Sequence, residues 1–146
     1  MVPLPSWMRR ALFATAAMNA LVALAFLPAG GAVRALAGLP ADAPPVYLLT
    51  IGLFILLFGL GYLWTALMGR ADRLFIALAA IGKLSFVGLL VQSWRDGALP
   101  IRAPLTAAPD LAFGLLFLVW LVSARANQPS ARVVTTAGSS AAPARG

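Results

Sequence analysis

The sequence predicts an all-α integral membrane protein, a four-helix bundle of antiparallel up-and-down topology with both termini cytoplasmic. Three observations point there. Of 146 residues, 62% are apolar and 10% charged, whereas a soluble domain of this size carries roughly a quarter charged residues; the mean hydropathy of +0.93 agrees. The apolar residues gather into four runs, each near the roughly 20 helical residues that cross a hydrocarbon core of about 30 Å. Those runs do not alternate apolar and polar positions, which argues against transmembrane strands.

The first span runs from Ala11 to Pro28, behind the Arg9–Arg10 pair and ahead of a Pro28-Ala29-Gly30-Gly31 break. A basic front and small residues from Ala29 to Ala32 also suit a cleaved signal peptide. The length of the run and its internal Thr15 and Asn19 favour a retained helix. The second span, Val46 to Met68, is opened by Pro44-Pro45 and closed by Gly69-Arg70. The third, Leu74 to Trp94, ends at Arg95-Asp96-Gly97. The fourth, Thr106 to Ser123, holds Pro109 in its opening turn, where proline is tolerated. Short connections make consecutive helices antiparallel neighbours. Between the first two spans, Ala32 to Leu39 reads as a brief interfacial helix with Arg34 facing water. Residues 1–125 thus form one membrane domain, and the Ala-, Ser-, Thr-, Pro- and Gly-rich segment 126–146 reads as a disordered cytoplasmic tail.

Orientation follows from the loop charges. One side collects Arg9, Arg10, Arg70, Arg73, Arg125, Arg132 and Arg145 against Asp72; the other has Arg34, Arg95 and Arg102 against Asp42, Asp96 and Asp110. Basic residues are retained on the cytoplasmic side, so both ends of the chain belong there. Trp7, Tyr47 and Trp94 lie near span ends, where amphipathic rings anchor at the headgroups. The net charge of +7 is scattered between apolar runs and makes no nucleic-acid surface. The chain contains no Cys and no His. Thiol redox chemistry, Cys/His metal centres, histidine-ligated haem and His-dependent triads are therefore excluded, and no catalytic residue, metal ligand or cofactor is assigned.

Lys83 is the informative side chain. It lies nine residues after Leu74, about 14 Å along a helix and so near the bilayer midplane. A lysine there is unfavourable by about 2.5–3.5 kcal/mol even on insertion scales, and such residues face the bundle interior or a hydrated cavity. Ala79 and Ala80 form a notch one turn before it, on the side toward which helical side chains lean. Asp110 falls about 6 Å further out, so pairing would extend the lysine against that lean. The spacing favours Asp110 as a charge at a helix N-terminus and leaves Lys83 to carbonyls, Asn19 or an anionic ligand.

Asn19 sits at matching depth in the first span, one turn after Thr15. The pair reads first as interhelical hydrogen-bonding glue, with ligand contact as the alternative. Gly52 and Gly59 recur seven residues apart in the second span, with Tyr62 continuing that side; Gly82 and Gly114 supply small positions in the third and fourth. These glycines, with Thr15, Ala79 and Ala80, are the candidate helix-packing positions. Lys83, Asn19, Tyr62 and Asp110 are the candidate ligand contacts.

Gly59-Leu60-Gly61-Tyr62, the basic turn with Arg70 and Arg73, and Gly82-Lys83 resemble small four-helix bacterial inner-membrane proteins of the DoxX-like type. The resemblance covers about Gly52 to Leu90. It implies a four-helix bundle in a bacterial inner membrane, in a family linked variously to quinone-connected respiratory chains and redox partners. Without Cys or His, none of those activities carries over to this chain.

Two functions compete at this level. The first is a non-enzymatic accessory or structural subunit that packs with other membrane-protein subunits or with copies of itself. The second is a small carrier or binding protein for a hydrophobic anion or a quinone- or lipid-like ligand, with Lys83 as its contact. A lipid-modifying enzyme ranks behind both, because few acid–base groups are present.

Overall fold

The computed structural model describes residues 1–126, with side chains described to residue 124. The expected tail, from residue 127 onward, lies outside the described residues. Four long helices dominate: α1 (Ser6–Ala25), α3 (Pro45–Met68), α4 (Arg73–Arg95) and α6 (Ala108–Ala126). Between them lie two short helices, α2 (Gly31–Leu36) and α5 (Arg102–Thr106). Three of the long helices, α1, α3 and α4, are long and apolar enough to cross a membrane; α6 carries a shorter apolar stretch, Ala108–Ala124.

Helix ends follow local chemistry. Pro45 occupies the first turn of α3, where its missing N–H is not needed. At the other end Gly69 adopts the left-handed conformation (φ 64°) that stops the helix. Asp72 then caps α4 by accepting a 2.7 Å bond from the Leu74 N–H. Helix α1 begins five residues before its apolar run, at Ser6 directly after Pro5. Arg9 consequently lies on the helix, and its Nε donates to the Ala66 carbonyl at the end of α3 (2.7 Å). A cation thus meets the negative end of that helix dipole. The expected fourth helix is broken at Ala107, so that α5 ends and α6 starts afresh with Pro109 in its first turn. A further departure from the all-helical expectation is small: β1 (Val2–Pro3) pairs antiparallel with β2 (Arg70–Ala71), strapping the N-terminus across the α3–α4 turn.

The helices pack as two pairs, α1 against α3 and α4 against α6, with α1 also touching α6. Helices α3 and α4 are joined by only four residues yet do not pack along their length. The expectation that all consecutive spans are close neighbours is corrected here. Near the turn the pairs are held together by a core of Met8, Leu12, Tyr62, Ala66, Ile76, Phe117 and Trp120. Phe75 reaches across from α4 to lie against Gly61, with its ring 5.7 Å from that of Tyr62. Met8, Leu12, Tyr62, Ile76 and Trp120 come from the part of each helix on the side of the α3–α4 turn, and Phe117 from the middle of α6. Toward the other end the two pairs separate.

Candidate functional site

The separation leaves a cleft of about 490 Å³ between the pairs, within the range of about 300–1,000 Å³ that holds small molecules. Tyr62 and Ala79 belong both to the core and to the cleft lining, so they form its floor. Phe54 and Phe58 of α3 and Phe86 and Leu90 of α4 make apolar walls. Arg34 and Thr106 lie at the rim.

The seams of the helix pairs place the polar groups. A Cβ added at Gly59 would lie 3.0 Å from the Asn19 Cβ, and one at Gly52 would lie 3.1 Å from the Phe26 Cβ. Both glycines therefore let α1 approach α3 closely. At that approach Asn19 Nδ2 donates to the Ile55 carbonyl across the interface (3.0 Å). Thr15 is buried, but its hydroxyl donates to Ala11 one turn back (2.8 Å) and not across the helices. The hydrogen-bonding role expected for it between helices is corrected to a packing role. In the other pair, a Cβ on Gly114 would meet Leu84 Cδ2 at 2.9 Å, which sets Gly114 level with Lys83. Ala79 and Ala80 are buried in the core. Gly82 is different: nothing lies within 4 Å of a Cβ there. It lines the cleft and does not pack a helix, because the open space between α3 and α4 is what it faces.

Lys83 Nζ donates to Asp110 Oδ1 in a direct ion pair, with the side chains 7% and 21% exposed. This corrects the expectation that Lys83 stays unpaired over the alanine notch. Asp110 stands one helical turn outward of Gly114, so the offset of about 6 Å is present. The four-carbon lysine stem spans it, because an unpaired buried ammonium is far less favourable than an extended rotamer. The ammonium also lies 5.8 Å from the Tyr62 ring centroid and 6.0 Å from that of Phe113, distances at which aromatic faces attract a cation. Tyr62 itself is 2% exposed. Among the described residues its hydroxyl makes no hydrogen bond, and since no fully buried side-chain oxygen there lacks a partner, this one opens onto the cleft that Tyr62 lines. The four residues singled out as ligand contacts thus border one cavity.

Arg34 escaped the sequence reading. It is 2% exposed, not facing water. Its guanidinium donates to the carbonyls of Ala25 (2.6 Å), Leu27 (2.9 Å), Pro40 (3.3 Å) and Ala41 (2.6 Å). The Ala25 carbonyl is the last of α1, so the arginine caps that helix and, through the other three, knots the following loop. The signal was available: a lone arginine within about three turns of a helix C-terminus, in an otherwise apolar loop. Across the rim, the Thr106 hydroxyl donates to the Ala103 carbonyl of its own helix (2.8 Å) and lies 3.2 Å from the Ala37 carbonyl, which sets α5 against the same loop.

No family model, curated protein or solved structure matches this chain. Its chemistry is therefore read from its own residues. Among those described, no group of three His, Cys, Asp or Glu side chains converges as a metal site would require. What converges is an ion pair, a phenol and an amide at the blind end of an apolar cleft.

Proposed function

We propose that the protein is a bacterial inner-membrane protein that crosses the bilayer four times, with both termini cytoplasmic, and binds a lipid-like molecule in this cleft. The fourth crossing is supported by the 17 apolar residues of Ala108–Ala124, about 26 Å of helix. The excess of arginine on the side bearing the termini supports the orientation. The ligand's head meets Asn19, Tyr62, Lys83 and Asp110, and its tail lies along Phe54, Phe58 and Phe86. One observation carries the reading: an apolar cavity of useful volume ends on polar side chains near the middle of the helices. Ionisable residues such as Lys83 and Asp110 inside a membrane commonly mark ligand or ion pathways.

Native mass spectrometry after mild extraction tests this. The parent is expected to retain a small amphipathic molecule, and Gly82→Phe to fold normally while losing it, because the new ring fills open space at the cleft edge. A parent that retains no small molecule, or a variant that keeps it, contradicts the proposal. A stoichiometric partner polypeptide with an empty cleft would support the accessory-subunit reading in its place.

A further inference from the structure

We infer that the head group this cleft accepts is uncharged and carries a hydroxyl or carbonyl oxygen, and that Asp110 sets this preference by neutralising Lys83. The inference rests on the ligand-binding reading above and narrows it to a class of ligand.

Three charged residues line the cleft, namely Arg34, Lys83 and Asp110. Lys83 and Asp110 are in direct contact, so attraction of an incoming anion to the ammonium is offset by repulsion from the adjacent carboxylate. Arg34 is turned to backbone, and four of its five N–H groups are already used on carbonyls. Neither cation therefore presents an open charge. Removing an anion's water at this depth is much less favourable than removing that of a hydroxyl or a ketone. An anionic head would lose its hydration and gain no net counter-charge.

The hydrogen-bonding capacity that remains suits a neutral head. The Tyr62 hydroxyl makes no hydrogen bond among the described residues and, as none of their fully buried side-chain oxygens lacks a partner, is open to the cleft, where it can donate or accept. Asn19 gives one of its two amide N–H groups to Ile55, and its side-chain oxygen accepts no hydrogen bond among the described residues. Lys83 keeps two further N–H groups beyond the one given to Asp110. Donors and acceptors stand side by side, as recognition of an alcohol or a quinone-type carbonyl requires. The walls offer rings and aliphatic side chains for either molecule's tail.

The test holds the tail constant and changes the head. The protein in phosphatidylcholine nanodiscs is titrated with farnesol and with farnesyl phosphate, and occupancy is read by native mass spectrometry. A decyl-substituted benzoquinone in a third titration distinguishes a carbonyl head from a hydroxyl. Farnesol is expected to bind the parent about tenfold more tightly than farnesyl phosphate. Asp110→Asn, which leaves Lys83 uncompensated, is expected to reverse that order. Lys83→Gln is the second variant and keeps the test decisive if the first does not fold. By leaving Asp110 unpaired it should widen the parent's preference for farnesol. Equal or tighter binding of farnesyl phosphate by the parent would overturn the inference while leaving a ligand-binding cleft. So would an order unchanged by Asp110→Asn, or a preference narrowed by Lys83→Gln. If none of the three probes binds the parent, the ligand-binding reading itself fails.

Discussion

The two halves of the bundle are built from similar residues and put them to different use. In the half bearing the α3–α4 turn, Met8, Leu12, Ile76, Phe117 and Trp120 are buried together in one core. In the other half, Phe54, Phe58 and Phe86 are no less bulky, yet they stand apart around a cavity. Composition does not separate these regions. The difference lies in the four-residue turn that holds α3 to α4 at one end, and in the polar residues that replace core residues above Tyr62. Within a membrane, apolar side chains gain little by leaving lipid for protein. Packing and polar pairing therefore decide where the helices close. The closed half relies on shape, and the open half on the Lys83–Asp110 pair and the Arg34 knot.

If that contrast holds, the largest effect should come from the pair. Asp110→Leu strands a buried ammonium and is expected to destabilise the protein by about 3–5 kcal/mol in detergent unfolding. Combining it with Lys83→Met should restore most of the loss, since no unpaired charge remains. A double variant as unstable as the single one would mean the pair is not what Asp110 contributes. Next, one substitution can be compared in both halves. Phe117→Ala empties a fully buried site and should cost about 3 kcal/mol. Phe54→Ala removes an exposed cleft wall and should change stability by less than about 0.5 kcal/mol. Similar values for the two would erase the distinction between the halves. Smaller than the core effect is Asn19→Leu, which deletes the bond to Ile55 at the boundary between them. A loss of about 0.5–2 kcal/mol is expected, measured by the same unfolding assay. No loss would show that Asn19 serves the cleft and not the helix seam.

The helix limits and one packing face can be read from the sequence. Apolar runs bounded by Pro44-Pro45, Gly69 and Asp96-Gly97 delimit helices, and the Gly52/Gly59 interval marks the face where α1 approaches α3. Side-chain pairing and the cleft are harder, for specific reasons. Counting residues places Asp110 one turn beyond Lys83, but whether the lysine extends depends on the energy of leaving it unpaired, which no spacing reports. Gly82 and Gly114 look alike in sequence; only the packing reveals that one faces space and the other Leu84. Thr15 shows no sequence sign of bonding to its own helix and not to a neighbour. Arg34 lies in a segment without periodicity, so only its place after the end of α1 hints at which way it points. A cavity, finally, is a property of how helix pairs diverge, and hydropathy describes single helices.

The central claim is that the half away from the termini holds a ligand between α3 and α4. A structure of the protein extracted with its native lipids, determined by electron cryomicroscopy with a bound antibody fragment, tests it most directly. The account expects elongated density running from the Tyr62 hydroxyl and the Lys83–Asp110 pair out between Phe54 and Phe86. Helices α3 and α4 packed along their full length, or a cleft without density beside an intact pair, would contradict it.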